Sequence, residues 1–205
     1  MELYNGLPLY RAEITDEEDG MYAISLVDFP ATESDFMAFD KKKKLLKYAV
    51  EDEEKRVVRG LVMGANQPIY RRTEAGYEYF ITYSPETIRK MAEKYLKDGL
   101  QNNVDTQHND ELENGIYMQE LFIKDTAKGI NPVGFEDYDD GSLFCQFHIT
   151  NDKVWDAIKS GEYKGFSLAG FFTVEPAESE EDKEFNEVMS LLERINKKIN
   201  NYRNV

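Results

Sequence analysis

Apolar residues in this chain come in short runs and alternations, each closed by turn residues, and that spacing commits most of the sequence to β-strands. Leu3 to Ile14, Met21 to Val27, Lys44 to Val50 and Arg56 to Met63 are such segments, punctuated by Gly6-Leu7-Pro8, Asp19-Gly20 and Gly64-Ala65-Asn66. Pro68 to Arg72 and Tyr77 to Tyr83 continue the pattern, with Gly76 between them where a hairpin loop belongs. With 13 Tyr and 12 Phe in a composition that is 41% hydrophobic, there is enough β-favouring apolar surface to bury a core.

Helical spacing enters at two places. Ser84-Pro85-Glu86 predicts a helix with Ser84 as cap and Pro85 in the first turn. Ile88, Met91, Ala92, Tyr95 and Leu96 share its apolar face, and Gly99 ends it. Gln101 to Gly115 is polar and turn-rich, after which Ile116 to Lys124 and Ser142 to Thr150 read as strands. Asn151 or Asp152 caps a short helix carrying Val154, Trp155 and Ile158, stopped by Gly161. Gly165 to Glu175 is the most apolar segment and predicts a buried strand. The sum is an α+β, mainly β domain: a barrel-like or folded-over sheet with helices around it. After Pro176 the composition changes. Glu178 to Glu184 is acidic, and Phe185, Val188, Leu192, Ile195, Ile199 and Tyr202 then recur at heptad-like spacing. The expected organisation is a domain over 1–176 and an acidic linker with an amphipathic helical tail over 177–205, the tail either self-associating or docking on its own domain.

Charge and cysteine usage exclude several classes. A net charge of −15 argues against a nucleic-acid binder, because phosphate affinity rests on clustered Lys and Arg; the basic run Lys41 to Lys44 reads as a solvated loop. Cys145 is the only cysteine, so neither an internal disulfide nor a cysteine zinc site is expected, and a reducing, intracellular setting fits. No signal-peptide pattern opens the chain and no apolar stretch approaches the roughly 20 residues of a bilayer span, so no membrane partner is expected.

Two histidines are available as an imidazole base. His148 sits inside a strand and reads as structural. His108 lies in the polar stretch Asn102 to Asp110, where a side chain faces both scaffold and solvent. Ser167, in Lys164-Gly165-Phe166-Ser167-Leu168-Ala169-Gly170, is a small polar group in an apolar, glycine-flanked strand, and its hydroxyl must be satisfied. It either bonds a neighbouring carbonyl or is a nucleophile paired to a base, with backbone amides near Gly170 as candidate oxyanion donors. The Gly-x-Ser-x-Gly elbow is absent. Cys145 and His148, three apart on one strand, point to opposite faces and form no dyad. Asp105, Asp110, Glu111 and Glu113 lack a metal-binding pattern and read as a solvated loop; no metal or cofactor is expected.

A resemblance extends this reading. Tyr22-Ala23-Ile24-Ser25-Leu26-Val27-Asp28-Phe29-Pro30-Ala31-Thr32-Glu33-Ser34-Asp35-Phe36 is similar to the opening of the XkdF-like phage serine protease family, a strand ending in Pro-Ala with a Phe a few residues on. Val58 to Met63, Pro68 to Arg71, Tyr79 to Ile88, His108, Gln119-Glu120-Leu121-Phe122-Ile123, Val154-Trp155 and Lys164 to Gly170 follow in the family's order. That family resembles the prohead proteases, which are similar in fold to the herpesvirus assembly proteases. The resemblance implies a β-barrel surrounded by helices, with Ser167 as nucleophile and His108 as base. It also implies Glu120 as the carboxylate behind the histidine. Scaffold and capsid-protein segments would be the substrates, cut inside the assembling prohead in the host cytoplasm, and self-association, as a dimer, is implied as well. In other prohead proteases a strand like Ile24 to Ala31 follows the nucleophile, often with a Glu just before it; here it lies near the N-terminus with Ala23 in that position, which leaves Ser25 and Asp28 as further candidates for the third group. The rival expectation is a non-catalytic capsid-assembly or scaffold protein that retains the fold.

Overall fold

A computed structural model describes residues 2–15, 17–31, 55–73, 75–109 and 111–177. The expected strand Lys44 to Val50, the basic run before it, Asp110 and the tail from 178 onward lie outside the described residues.

Two adjacent bent ribbons organise the molecule. β1 (Leu3–Tyr4) and β2 (Leu7–Glu13) form a two-residue hairpin through Asn5 and Gly6, both at positive φ, so the turn falls one residue earlier than Gly6-Leu7-Pro8 suggests. β2 leads through a short corner into β3 (Gly20–Val27). Late in the chain, β10 (Gly165–Phe171) pairs antiparallel with β3 and β11 (Thr173–Pro176) pairs antiparallel with β2. What the sequence presents as one strand, Gly165 to Glu175, is therefore two strands broken at Phe172, turning the same corner as β2 and β3.

Two features hold that corner. The buried Asp19 accepts hydrogen bonds from Thr15 N at 2.8 Å, Thr15 Oγ1 at 3.2 Å and Thr173 Oγ1 at 3.0 Å, tying both ribbons together. At Gly170, where the β10–β3 register shifts, a Cβ would lie 2.5 Å from the Gly20 carbonyl oxygen. Gly170 is thus required for close strand approach.

Around the ribbons stand β4 (Val57–Met63), β5 (Ile69–Arg72), β6 (Glu78–Tyr83), helix α1 (Pro85–Lys97), β7 (Val104–Thr106), β8 (Ile116–Ile123), β9 (Leu143–Ile149) and helix α2 (Asp152–Ser160). One sheet runs β1-β2-β6-β5 with β11 also on β2, the second β10-β3-β7 and the third β4-β9-β8. The fold is mainly β. Among the described residues the three sheets are open and no barrel closes, since each ends in strands that find no further ladder partner.

Both helices begin as the sequence predicts. Ser84 accepts from the Thr87 N–H at 3.0 Å, and Asn151 accepts from Lys153 N and Val154 N. α1 buries Ile88, Met91, Ala92 and Tyr95, whereas Leu96 is 50% exposed because it falls beyond the edge of the contact stripe. Ile24, Leu26, Val62, Ile81, Met91, Tyr95, Val104, Phe147, Trp155 and Phe166 join all three sheets and both helices in one core. The strand that sequence alone misses is β7. It is three residues long, two of them polar, and it exists because β3 offers it a parallel partner: Ile24 opposite Val104, Ser25 opposite Asp105, Leu26 opposite Thr106.

Candidate active site

Alternation along β3 and β10 creates the site. Ile24, Leu26 and Phe166 point into the core, so Ser25 and Ser167 project from the opposite face of the same sheet. They are register partners across the antiparallel β3–β10 pair, which sets the two hydroxyls side by side. Both are buried, Ser25 at 0% and Ser167 at 7% exposure, on a face that also carries the small residues Ala23, Gly165 and Ala169.

His108 reaches that face from β7. Gln107 N–H donates to the Leu26 carbonyl at 3.0 Å, extending the ladder by one bond, and the chain then reverses in a turn closed by Asn109 N–H on the Thr106 carbonyl at 3.2 Å. Both central residues have positive φ, Gln107 at 55° and His108 at 54°, the sign pattern of a type I′ turn. Neither is the Asn or Gly that such a turn favours, so this backbone stores strain, on the order of 1–3 kcal/mol per residue, that the surrounding ladder must offset. The turn aims the ring. His108 Nε2 lies 3.0 Å from Ser167 Oγ, and Nδ1 lies 2.9 Å from Ser25 Oγ.

This arrangement has the polarity that acyl transfer needs. A neutral imidazole can accept the Ser167 proton at Nε2 only if its own proton is on Nδ1, and Ser25 Oγ is placed to accept from that N–H. The strand interior excludes water from the hydroxyl side, while the exposed histidine keeps the other side accessible.

The remaining expected groups lie elsewhere. Glu120 is on β8 of another sheet, its carboxylate accepting from Arg59 at 3.2 Å at the surface, and the position expected for it at His108 Nδ1 is held by Ser25. Asp28 meets the turn through its backbone N–H, which donates to Gln107 Oε1 at 3.4 Å. Cys145 is fully buried on β9, and burial pushes its thiol pKa well up, which suppresses the thiolate a nucleophile requires. Among the described residues no group of three or more His, Cys, Asp or Glu is placed to hold a metal. Asp105, in contrast to a solvated loop residue, is 1% exposed. The signal for Ser25 was present in the sequence: like Ser167, it is a lone hydroxyl inside an apolar strand.

Comparison with protein families matches residues 29–175, more than half of the chain, to the family described as "Putative phage serine protease XkdF". Comparison with curated proteins and with solved structures gives no significant match.

Proposed function

The chain belongs to the XkdF family of phage serine proteases, and from that premise we propose that it is an endopeptidase in which Ser167 is the nucleophile, His108 the general base and Ser25 the group behind the base. The single observation that carries this reading is the His108 ring hydrogen-bonded at one nitrogen to Ser167 and at the other to Ser25. As Ser167 Oγ attacks the scissile carbonyl, its proton passes to His108 Nε2 while Nδ1 keeps its own, held by Ser25. Backbone N–H groups of β10 meet the oxyanion. The imidazolium then protonates the leaving amine; a water, deprotonated in turn by His108, attacks the acyl group, and the proton passes from His108 to Ser167 Oγ as the acyl–oxygen bond breaks.

The proposed substrates are scaffold and capsid-protein segments, cleaved inside the assembling prohead in the host cytoplasm, with self-association of the protease. Kinship to the herpesvirus-protease barrel is part of the same proposal. It is supported by β10, which bonds to β3 yet runs alongside β4 of the third sheet, so that separate sheets wrap one core. The test is co-expression with scaffold and capsid subunits, followed by mass spectrometry of the products. Cleavage with the wild-type chain that disappears with Ser167→Ala is expected; identical products from both chains would overturn the assignment and leave a non-catalytic assembly role.

A further inference from the structure

Ser25 is an incomplete answer to the question of what stands behind His108. When its oxygen accepts the Nδ1–H, its own hydroxyl proton must find an acceptor, because the side chain is 0% exposed and water cannot serve. A neutral hydroxyl also does less than an anion to stabilise the imidazolium that forms as Ser167 is deprotonated.

The neighbouring strand offers the missing group. Asp105 is the register partner of Ser25 in the parallel β3–β7 pair, so its side chain leaves the same face of the sheet one strand spacing away, about 4.8 Å. Ser25 is therefore flanked by Ser167 on one side and Asp105 on the other. Asp105 is 1% exposed, and its Oδ1 is buried with no hydrogen-bond partner among the described residues. An unpartnered buried carboxyl oxygen is costly. It also lies three residues before His108, on the strand that launches the strained turn, so one short segment carries both groups.

We infer that Asp105 is a positioning residue of the site, accepting the Ser25 hydroxyl proton so that a line Asp105, Ser25, His108, Ser167 runs across three adjacent strands and the turn above them. The register pairing sets the two side chains next to each other on one face of the sheet. The protons balance: the Ser167 proton moves to His108 Nε2 and onward to the leaving amine, while Nδ1 and Ser25 keep theirs and Asp105 takes none. Asp105 acts only through Ser25, orienting its hydroxyl so that the lone pair faces Nδ1 and lending negative charge to the imidazolium at one remove.

The inference rests on the serine peptidase reading, and the experiment separates the two. The rate of Ser167 labelling by a fluorophosphonate is measured; the Oγ–P bond forms, the P–F bond breaks with loss of fluoride, and the serine proton goes to His108. Wild type, Asp105→Asn, Ser25→Ala and the double variant are compared, with Asp105→Ala in both backgrounds as a second test and melting temperatures recorded for each. Slowing of about ten- to a hundredfold is expected for Asp105→Asn and for Ser25→Ala, with the double variant no slower than Ser25→Ala alone, because groups acting in series are not additive. An Asp105→Asn rate equal to wild type, or an equal further loss in the Ser25→Ala background, would overturn the role of Asp105 while leaving the peptidase reading intact. A folded wild type that is never labelled at Ser167 would overturn the peptidase reading and Asp105 with it.

Discussion

A serine hydroxyl is a weak nucleophile until a base takes its proton, and the value of His108 lies in where its two nitrogens point. Removing the base is expected to lower the rate of acylation by about 10²–10⁴-fold, the usual contribution of general base catalysis. The sharper comparison is between two of the three residues that competed for Nδ1. Ser25→Ala removes the acceptor 2.9 Å from that nitrogen and is expected to slow cleavage by about ten- to a hundredfold. Glu120→Gln breaks only a surface pair with Arg59, of a kind worth about 0–1 kcal/mol, and is expected to leave cleavage unchanged. Peptide-cleavage kinetics on the two variants decide between them; the reverse order would restore the acidic residue. Cys145 provides an independent check. With its thiol buried and its pKa raised by that burial, it should resist iodoacetamide in the native protein and react only after unfolding, as read by mass spectrometry.

Among the elements, β3 and β10 carry the two serines of the candidate site, and their contact at Gly170 leaves little tolerance. Gly170→Ala would drive a Cβ to 2.5 Å from the Gly20 carbonyl oxygen, and the opposing atom is backbone that cannot swing aside. A loss of about 1–3 kcal/mol in urea unfolding is expected, of the size seen for overpacked sites, together with a slower Ser167 because the register holding Ser25 opposite it is disturbed. An unchanged midpoint would show that the bulge relaxes freely. The helices and most strands were readable from local pattern: caps at Ser84 and Asn151, the stop at Gly161, and the alternations over β3, β4, β6, β8 and β9 all act within a few residues. β7 was not readable, since a three-residue strand with Asp105 and Thr106 has no periodicity of its own and is stabilised by a partner some 80 positions away.

On the scale of the whole molecule, the corner at Asp19 joins the sheet that bears the site to the five-stranded sheet beside it. Asp19→Ala would leave Thr15 and Thr173 without their shared acceptor and is expected to lower stability by about 1–3 kcal/mol with an unchanged denaturant slope, measured by urea titration. Among the described residues the sheets stay open, because the ribbons bend at this corner and pair with different partners on each side. Sequence alone singled out Ser167 and His108 as candidates, because a lone hydroxyl in an apolar strand and a histidine in a polar turn are local anomalies that invite explanation, while the roles of nucleophile and base came only with the family resemblance. The tertiary structure alone decided what meets Nδ1. Ser25 and Glu120 were both available on paper, and only the pairing of β3 between β10 and β7, a matter of long-range register that no window of sequence encodes, puts one of them under the imidazole and leaves the other at the surface with Arg59.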